Sequence, residues 1–128
     1  MSDSNGKIWW TELNCRDVEE ARSFYAATCG WTYEDMPQQD GGTYTLCKAN
    51  DVVVAGMLDI SNMPFLDGIP CHWFTYIAVD DVDTAAQQAV KAGGAIRRDP
   101  FEIPGIGRIA IVQDSIGAVV GLMTPAQT

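Results

Sequence analysis

The sequence predicts an α+β fold built from two tandem βαβββ modules, and three observations carry that prediction. The chain nearly repeats itself, because Glu12–Gly30 returns as Tyr76–Gly94 at an offset of 64 residues, with Asp17 on Asp81, Val18 on Val82, Ala21 on Ala85 and Gly30 on Gly94. In each copy an alternating strand runs into Asp-Val, then a helical stripe, then glycine. The register also persists: Asn50 falls on Asp114 and, after a one-residue slip in a hairpin, Gly56 falls on Gly121. At 128 residues the chain is one domain by size, with module one at about 7–58, a linker at about 59–70 and module two at about 71–124.

Each element has a local cause. Ile8 to Cys15 alternates, so Ile8, Trp10, Glu12 and Asn14 share one face and Trp9, Thr11, Leu13 and Cys15 the other. Asp17 reads as an N-cap with Glu20 three residues on, and the helix from Val18 to about Cys29 carries Val18, Ala21, Phe24, Tyr25 and Thr28 as its packing stripe before Gly30 ends it. Strands follow at Trp31–Glu34, Thr43–Lys48 and Val52–Leu58, with turns at Asp40-Gly41-Gly42 and Asn50-Asp51. In the second copy His72, Phe74, Tyr76 and Ala78 share a strand face, Asp81 caps a helix ended by Gly93-Gly94, and strands are expected at Ala95–Arg98, Gly107–Gln113 and Ala118–Met123. Asp59 to Pro70, rich in Pro and Gly, reads as a linker, with a flap over a pocket as the alternative.

Composition narrows the function classes. With 47% hydrophobic and 20% charged residues the chain is globular in character. No apolar run reaches the roughly 20 residues needed to span a bilayer, and MSDSNGK lacks a signal peptide's apolar segment, so the expectation is a cytoplasmic protein with no membrane partner. A formal net charge of −9 repels phosphate backbones and argues against nucleic acid as a partner. Cys15, Cys29, Cys47 and Cys71 show no CxxC spacing and are expected to be buried reduced thiols.

The two modules, the segment LNCRDVEEARSFYAATCGW and the closing QDSIGAVVGL resemble the vicinal oxygen chelate superfamily, which holds glyoxalase I, bleomycin-resistance proteins, fosfomycin-resistance enzymes and extradiol dioxygenases. Trp10–Leu13, His72–Asp83 and Ile103–Arg108 resemble phrases of its subgroup of predicted enzymes related to lactoylglutathione lyase. The resemblance implies that the two modules form an incomplete barrel and that the chain is a homodimer, paired within or across chains. It also implies a divalent metal at positions that here fall on Trp10, Phe74, Gly56 and Gly121. None of these side chains can donate to a metal, so the usual quartet is absent and no metal or cofactor is expected.

The strand faces nevertheless carry chemistry. Trp10, Phe74 and Tyr76 are aromatic and Glu12 and His72 ionisable, the mixture a small-molecule cavity uses, although Trp10 and Phe74 serve equally well as packing. If a pseudo-twofold relates the modules, their first strands run antiparallel, Trp10 faces Phe74, and Glu12 faces His72, the single histidine. Such a pair is competent for proton transfer. Asn14 and Tyr76 are further ligand-binding candidates, and Arg108 reaches for an anionic group at the rim or is simply solvated. Ser115 lacks the Gly-x-Ser-x-Gly context of a nucleophile.

Three readings follow. The first is a binding protein of the bleomycin-resistance kind, holding a small, partly aromatic or cationic molecule in a metal-free pocket. The second is a metal-independent lyase or isomerase using Glu12 and His72 as acid and base. The third is an interaction module with no small-molecule ligand.

Overall fold

The computed structural model describes residues 3–38, 42–103 and 106–126, with the backbone but not the side chain of Phe65. The elements are β1 (Ile8–Cys15), α1 (Val18–Cys29), β2 (Thr32–Pro37), β3 (Thr43–Ala49), β4 (Val52–Asp59), a 3-10 turn (Pro64–Leu66), β5 (His72–Ala78), α2 (Val82–Lys91), β6 (Ala95–Ile103), β7 (Gly107–Gln113) and β8 (Val119–Pro125). This is the βαβββ plan twice. The turn expected at Asp40-Gly41-Gly42 and the Pro104-Gly105 pair lie wholly or partly outside the described residues.

The chain divides into two compact units: Thr11–Phe74, and the residues up to Trp10 together with Thr75 onward. The cut falls inside β1 and β5 rather than in the linker. In the second unit Gly6 N donates to Ala78 O at 2.7 Å and Ala78 N donates to Lys7 O at 2.9 Å, which ties the chain's start to the end of β5.

In the Thr11–Phe74 unit the strand order is β2-β3-β4-β1, antiparallel except for the parallel β4–β1 pair that α1 makes possible as part of the crossover. The β3–β4 turn is a two-residue loop in which Asn50 and Asp51 both take positive φ, 52° and 67°, the mirror-type turn whose twist suits a hairpin. Asp17 Oδ1 accepts from Glu20 N at 3.0 Å, and Gly30, at φ 73°, closes the helix through Ala26 O. Leu13, Cys15, Cys47, Ala55 and Met57 form the core beneath Val18, Ala21, Tyr25, Trp31 and Tyr33. Phe24, expected in the packing stripe, is instead 56% exposed and meets Tyr25 edge-on. Its place on the helix is a full 100° from Tyr25, which takes the inward position.

The other unit repeats the order as β5-β8-β7-β6, again with a single parallel pair, β5 with β8. Val82, Ala86 and Ala110 are its buried cluster, with Val79, Ile96 and Leu122 against it. The expected strand ending at Arg98 runs on to Ile103, because two register shifts carry it past Asp99-Pro100. β6 pairs with β7 alone among the described residues, and an edge strand tolerates proline at such irregularities.

Of the cysteines, Cys15 and Cys47 are buried but Cys29 and Cys71 are exposed, which corrects the expectation of four buried thiols. Burial is the main cause that pushes both Cys15 and Cys47 up to about 11.

Candidate functional site

The two units present matching rows on the sheet face opposite their helices. In one, Leu46 pairs with Gly56 and Gly56 with Glu12; in the other, Ile111 pairs with Gly121 and Gly121 with Tyr76. Cross-strand partners share a face. The sequence repeat is therefore a structural one, and Glu12 and Tyr76 hold equivalent places.

In the Thr11–Phe74 unit three candidate residues of this face are buried, while Tyr44, Leu46 and His72 are half-buried. Glu12 is 6% exposed, Asn14 8% and Phe74 8%. A side chain at Gly56 would overlap the Tyr44 phenol, which fills the space over that glycine. Sequence reasoning passed over Tyr44; the signal was its place in the alternation Tyr44, Leu46, Lys48 along a strand whose intervening Thr45 and Cys47 are core residues.

His72 is held at both ring nitrogens. Its Nδ1 lies 2.8 Å from Pro70 O, and a carbonyl only accepts, so Nδ1 carries the proton. Nε2 then accepts from Asn14 Nδ2 at 3.2 Å. Hence His72 takes its hydrogen bond from Asn14, where sequence symmetry had aimed Glu12 at it. The pairing is displaced by two residues, which keeps every side chain on its face and moves it to the next partner. The Phe74 ring stands edge-on to His72 at 6.3 Å. Asn14 Oδ1 is buried with no hydrogen-bond partner among the described residues, the kind of group that a ligand donor or a water satisfies.

The remaining candidates lie in the other unit. Trp10 and Tyr76 are each half-buried there. Arg108 does not reach the face of Tyr76. It alternates with Ala110 and Val112 on the α2 side, donating through Nε and Nη2 to both Asp83 carboxylate oxygens at 2.7 and 2.9 Å, with Glu102 at 3.7 Å. The hydrogen bond from Arg108 holds Asp83 below the usual carboxylate range, and Asp83 in turn raises Arg108. Both border an open groove of about 360 Å³ with Asp80, Asp81 and Glu102. Acidic groups dominate it, so it is no receptor for an anion.

The metal implied by the resemblance does not fit these residues. Trp10, Phe74, Gly56 and Gly121 offer no side-chain donor, and the Tyr44 ring takes the space into which a ligand at Gly56 would project. Among the described residues no three His, Cys, Asp or Glu side chains gather into a cluster able to hold an ion.

A repeated βαβββ unit with a polar and aromatic sheet face defines a class of two-module α+β proteins. The chain belongs to the Glyoxalase/Bleomycin resistance protein/Dioxygenase superfamily, whose family model matches residues 7–122. It is 36% identical over 126 residues to "Putative glyoxylase CFP32" of Mycobacterium bovis, covering 98% of this chain and 47% of that protein. It is 29% identical over 119 residues to anthracycline biosynthesis protein DnrV of Streptomyces peucetius, covering 85% and 43%. The chain thus spans about half the length of the curated relatives it matches. Among solved structures, methylmalonyl-CoA epimerase from Mycobacterium tuberculosis aligns with a TM-score of 0.66 at 18% identity over 99% of this chain and 93% of that one. Hypothetical protein BH1468 from Bacillus halodurans aligns with a TM-score of 0.74 at 11% identity over 96% of each. At such identities the likeness shows the fold.

Proposed function

We propose that this chain binds a small organic molecule, aromatic or cationic in part, against the face of Glu12, Asn14, His72 and Phe74, without the metal quartet of its catalytic relatives. The observation that carries the reading is the filling of the Gly56 position by Tyr44, beside a buried carboxylate at Glu12. On the same face Asn14 Oδ1, buried and without a hydrogen-bond partner among the described residues, favours a ligand that offers hydrogen-bond donors, and the Glu12 side chain suits one that carries positive charge. The structural relatives include methylmalonyl-CoA epimerase solved with methylmalonyl-CoA, which supports an organic ligand as such. A cytoplasmic homodimer belongs to the same proposal, supported by the family and by the edge strands β2 and β6.

A thermal-shift screen of the purified protein against divalent metals and a panel of aromatic, cationic and dicarbonyl-derived compounds tests the reading. A ligand specific to the native state raises Tm by mass action. Stabilisation by organic compounds but not metals is the expected result; stabilisation by a divalent ion that EDTA reverses would overturn it.

The second reading is a metal-independent lyase or isomerase, favoured by the burial of Glu12 and constrained by His72. With Nδ1–H bound to Pro70 O and Nε2 accepting from Asn14, His72 is engaged at both ring nitrogens, and this reading assigns the proton transfer to Glu12. Glu12→Gln would then abolish turnover of any substrate found while leaving affinity largely intact; unchanged turnover removes this mechanism.

A further inference from the structure

We propose that Cys15 and Cys71 are a redox-modification site, forming a reversible disulfide across β1 and the entry to β5 on exposure to peroxide. The two thiols are brought together by the hydrogen bonds on either side of them. On one side Asn14 meets His72 at 3.2 Å, and Thr11 Oγ1 donates to Phe74 O at 3.4 Å. On the other Arg16 donates to Ile69 O at 2.7 Å and to Leu66 O at 2.8 Å. As β1 advances from Thr11 through Asn14 to Arg16, its partners descend from Phe74 through His72 to Ile69, an antiparallel approach that sets Cys15 opposite Cys71. Residues so opposed stand about 4.5–5.5 Å apart at Cα, within the roughly 4.4–6.8 Å that a disulfide requires.

The two side chains also share a face. Trp73, two residues after Cys71, donates its indole N–H to Tyr25 Oη of α1 at 3.2 Å, so the odd-numbered residues here project to the α1 side. Cys15 belongs to the core on that same side. The Cys71 thiol adds to the effect of burial in raising Cys15, which places the two within electrostatic reach of each other.

Their exposures divide the roles. Cys71 is exposed and meets the oxidant first; Cys15, 4% exposed, is shielded from it and resolves, losing its proton as its sulfur attacks. The Cys71 thiolate attacks one peroxide oxygen, the O–O bond breaks, and hydroxide leaves, giving a sulfenic acid. Cys15 sulfur then attacks the Cys71 sulfur, the S–O bond breaks, and water leaves with the Cys15 proton. Two thiols and one hydrogen peroxide yield one disulfide and two waters. The link would lie next to the Asn14–His72 contact and fasten the spacing of the strands that carry it.

Dilute protein comprising residues 1–128, treated with hydrogen peroxide, alkylated and digested without reduction, tests the site. A peptide linked through Cys15 and Cys71 is expected, with an intact mass about 2 Da lower and full recovery of free thiols by dithiothreitol. Cys29→Ser should behave as the parent, whereas Cys71→Ser, at an exposed position that leaves the core intact, should lose the linked peptide altogether. Progress of Cys71 to a sulfinic acid while Cys15 stays free, or bonding of Cys71 to Cys29 or to a second chain, would overturn the proposal.

Discussion

At Gly56 the missing side chain is a requirement set by Tyr44. A Cβ there would run into the phenol, so Gly56→Ala must either displace the ring or strain the β3–β4 pair. Overpacking of this kind costs about 1–3 kcal/mol, and we expect the urea midpoint of Gly56→Ala to fall accordingly. Adding Tyr44→Leu should recover much of the loss; an unchanged midpoint in the single variant would mean that the ring swings aside freely. The buried thiols make a second prediction. Burial raises Cys15 and Cys47 from 9.0 to about 11, so the unfolded chain sheds these protons first and stability, complete below about 9, declines as pH rises toward about 11. Cys47→Ala should flatten that decline when unfolding free energies at pH about 8 and about 10 are compared. An equal slope in the variant would assign the loss to other groups.

Among the elements, the two helix starts differ in a way that stability should report. The Asp81 carboxylate accepts from Asp83 N at 3.0 Å, Thr84 N at 3.3 Å and Thr84 Oγ1 at 3.1 Å, whereas Asp17 accepts from Glu20 N at 3.0 Å. Asp81→Ala should therefore cost about 1–2 kcal/mol and Asp17→Ala about 0.5–1 kcal/mol, and the reverse order in denaturant unfolding would count against cap strength as the cause. These caps were legible in the sequence because every bond involved spans three residues or fewer. The end of β6 was not, since Asp99-Pro100 reads as a break unless the edge position and its register shifts are known. Nor was the Asn14 bond to His72: the internal repeat specifies which residues share a face, but strand register is decided by contacts some 60 residues apart in sequence. The Arg108–Asp83 pair was likewise hidden, although the alternation of Arg108 with Ala110 and Val112 assigns it to the helix side once Ala110 is known to be core.

On the scale of the whole chain, the sequence repeat and the compact units do not coincide. By sequence the chain parts at the linker, yet the residues up to Trp10 group with Thr75 onward, and β5 gives His72–Phe74 to the other unit. Each module read from sequence is consequently short of a piece of its own unit. The backbone of Ala78 pairs with Gly6 and Lys7, and the ring of His72 is met by Asn14, so a chain cut in the linker severs covalent continuity while leaving these pairings dependent on both pieces. Small domains bury too little surface to lose a strand segment and remain folded. We therefore expect residues 1–62 and residues 63–128, expressed separately, to lack cooperative thermal unfolding by circular dichroism, and to regain it when mixed. Cooperative folding of either piece alone would show that the repeat, and not the interleaved unit, is the folding entity.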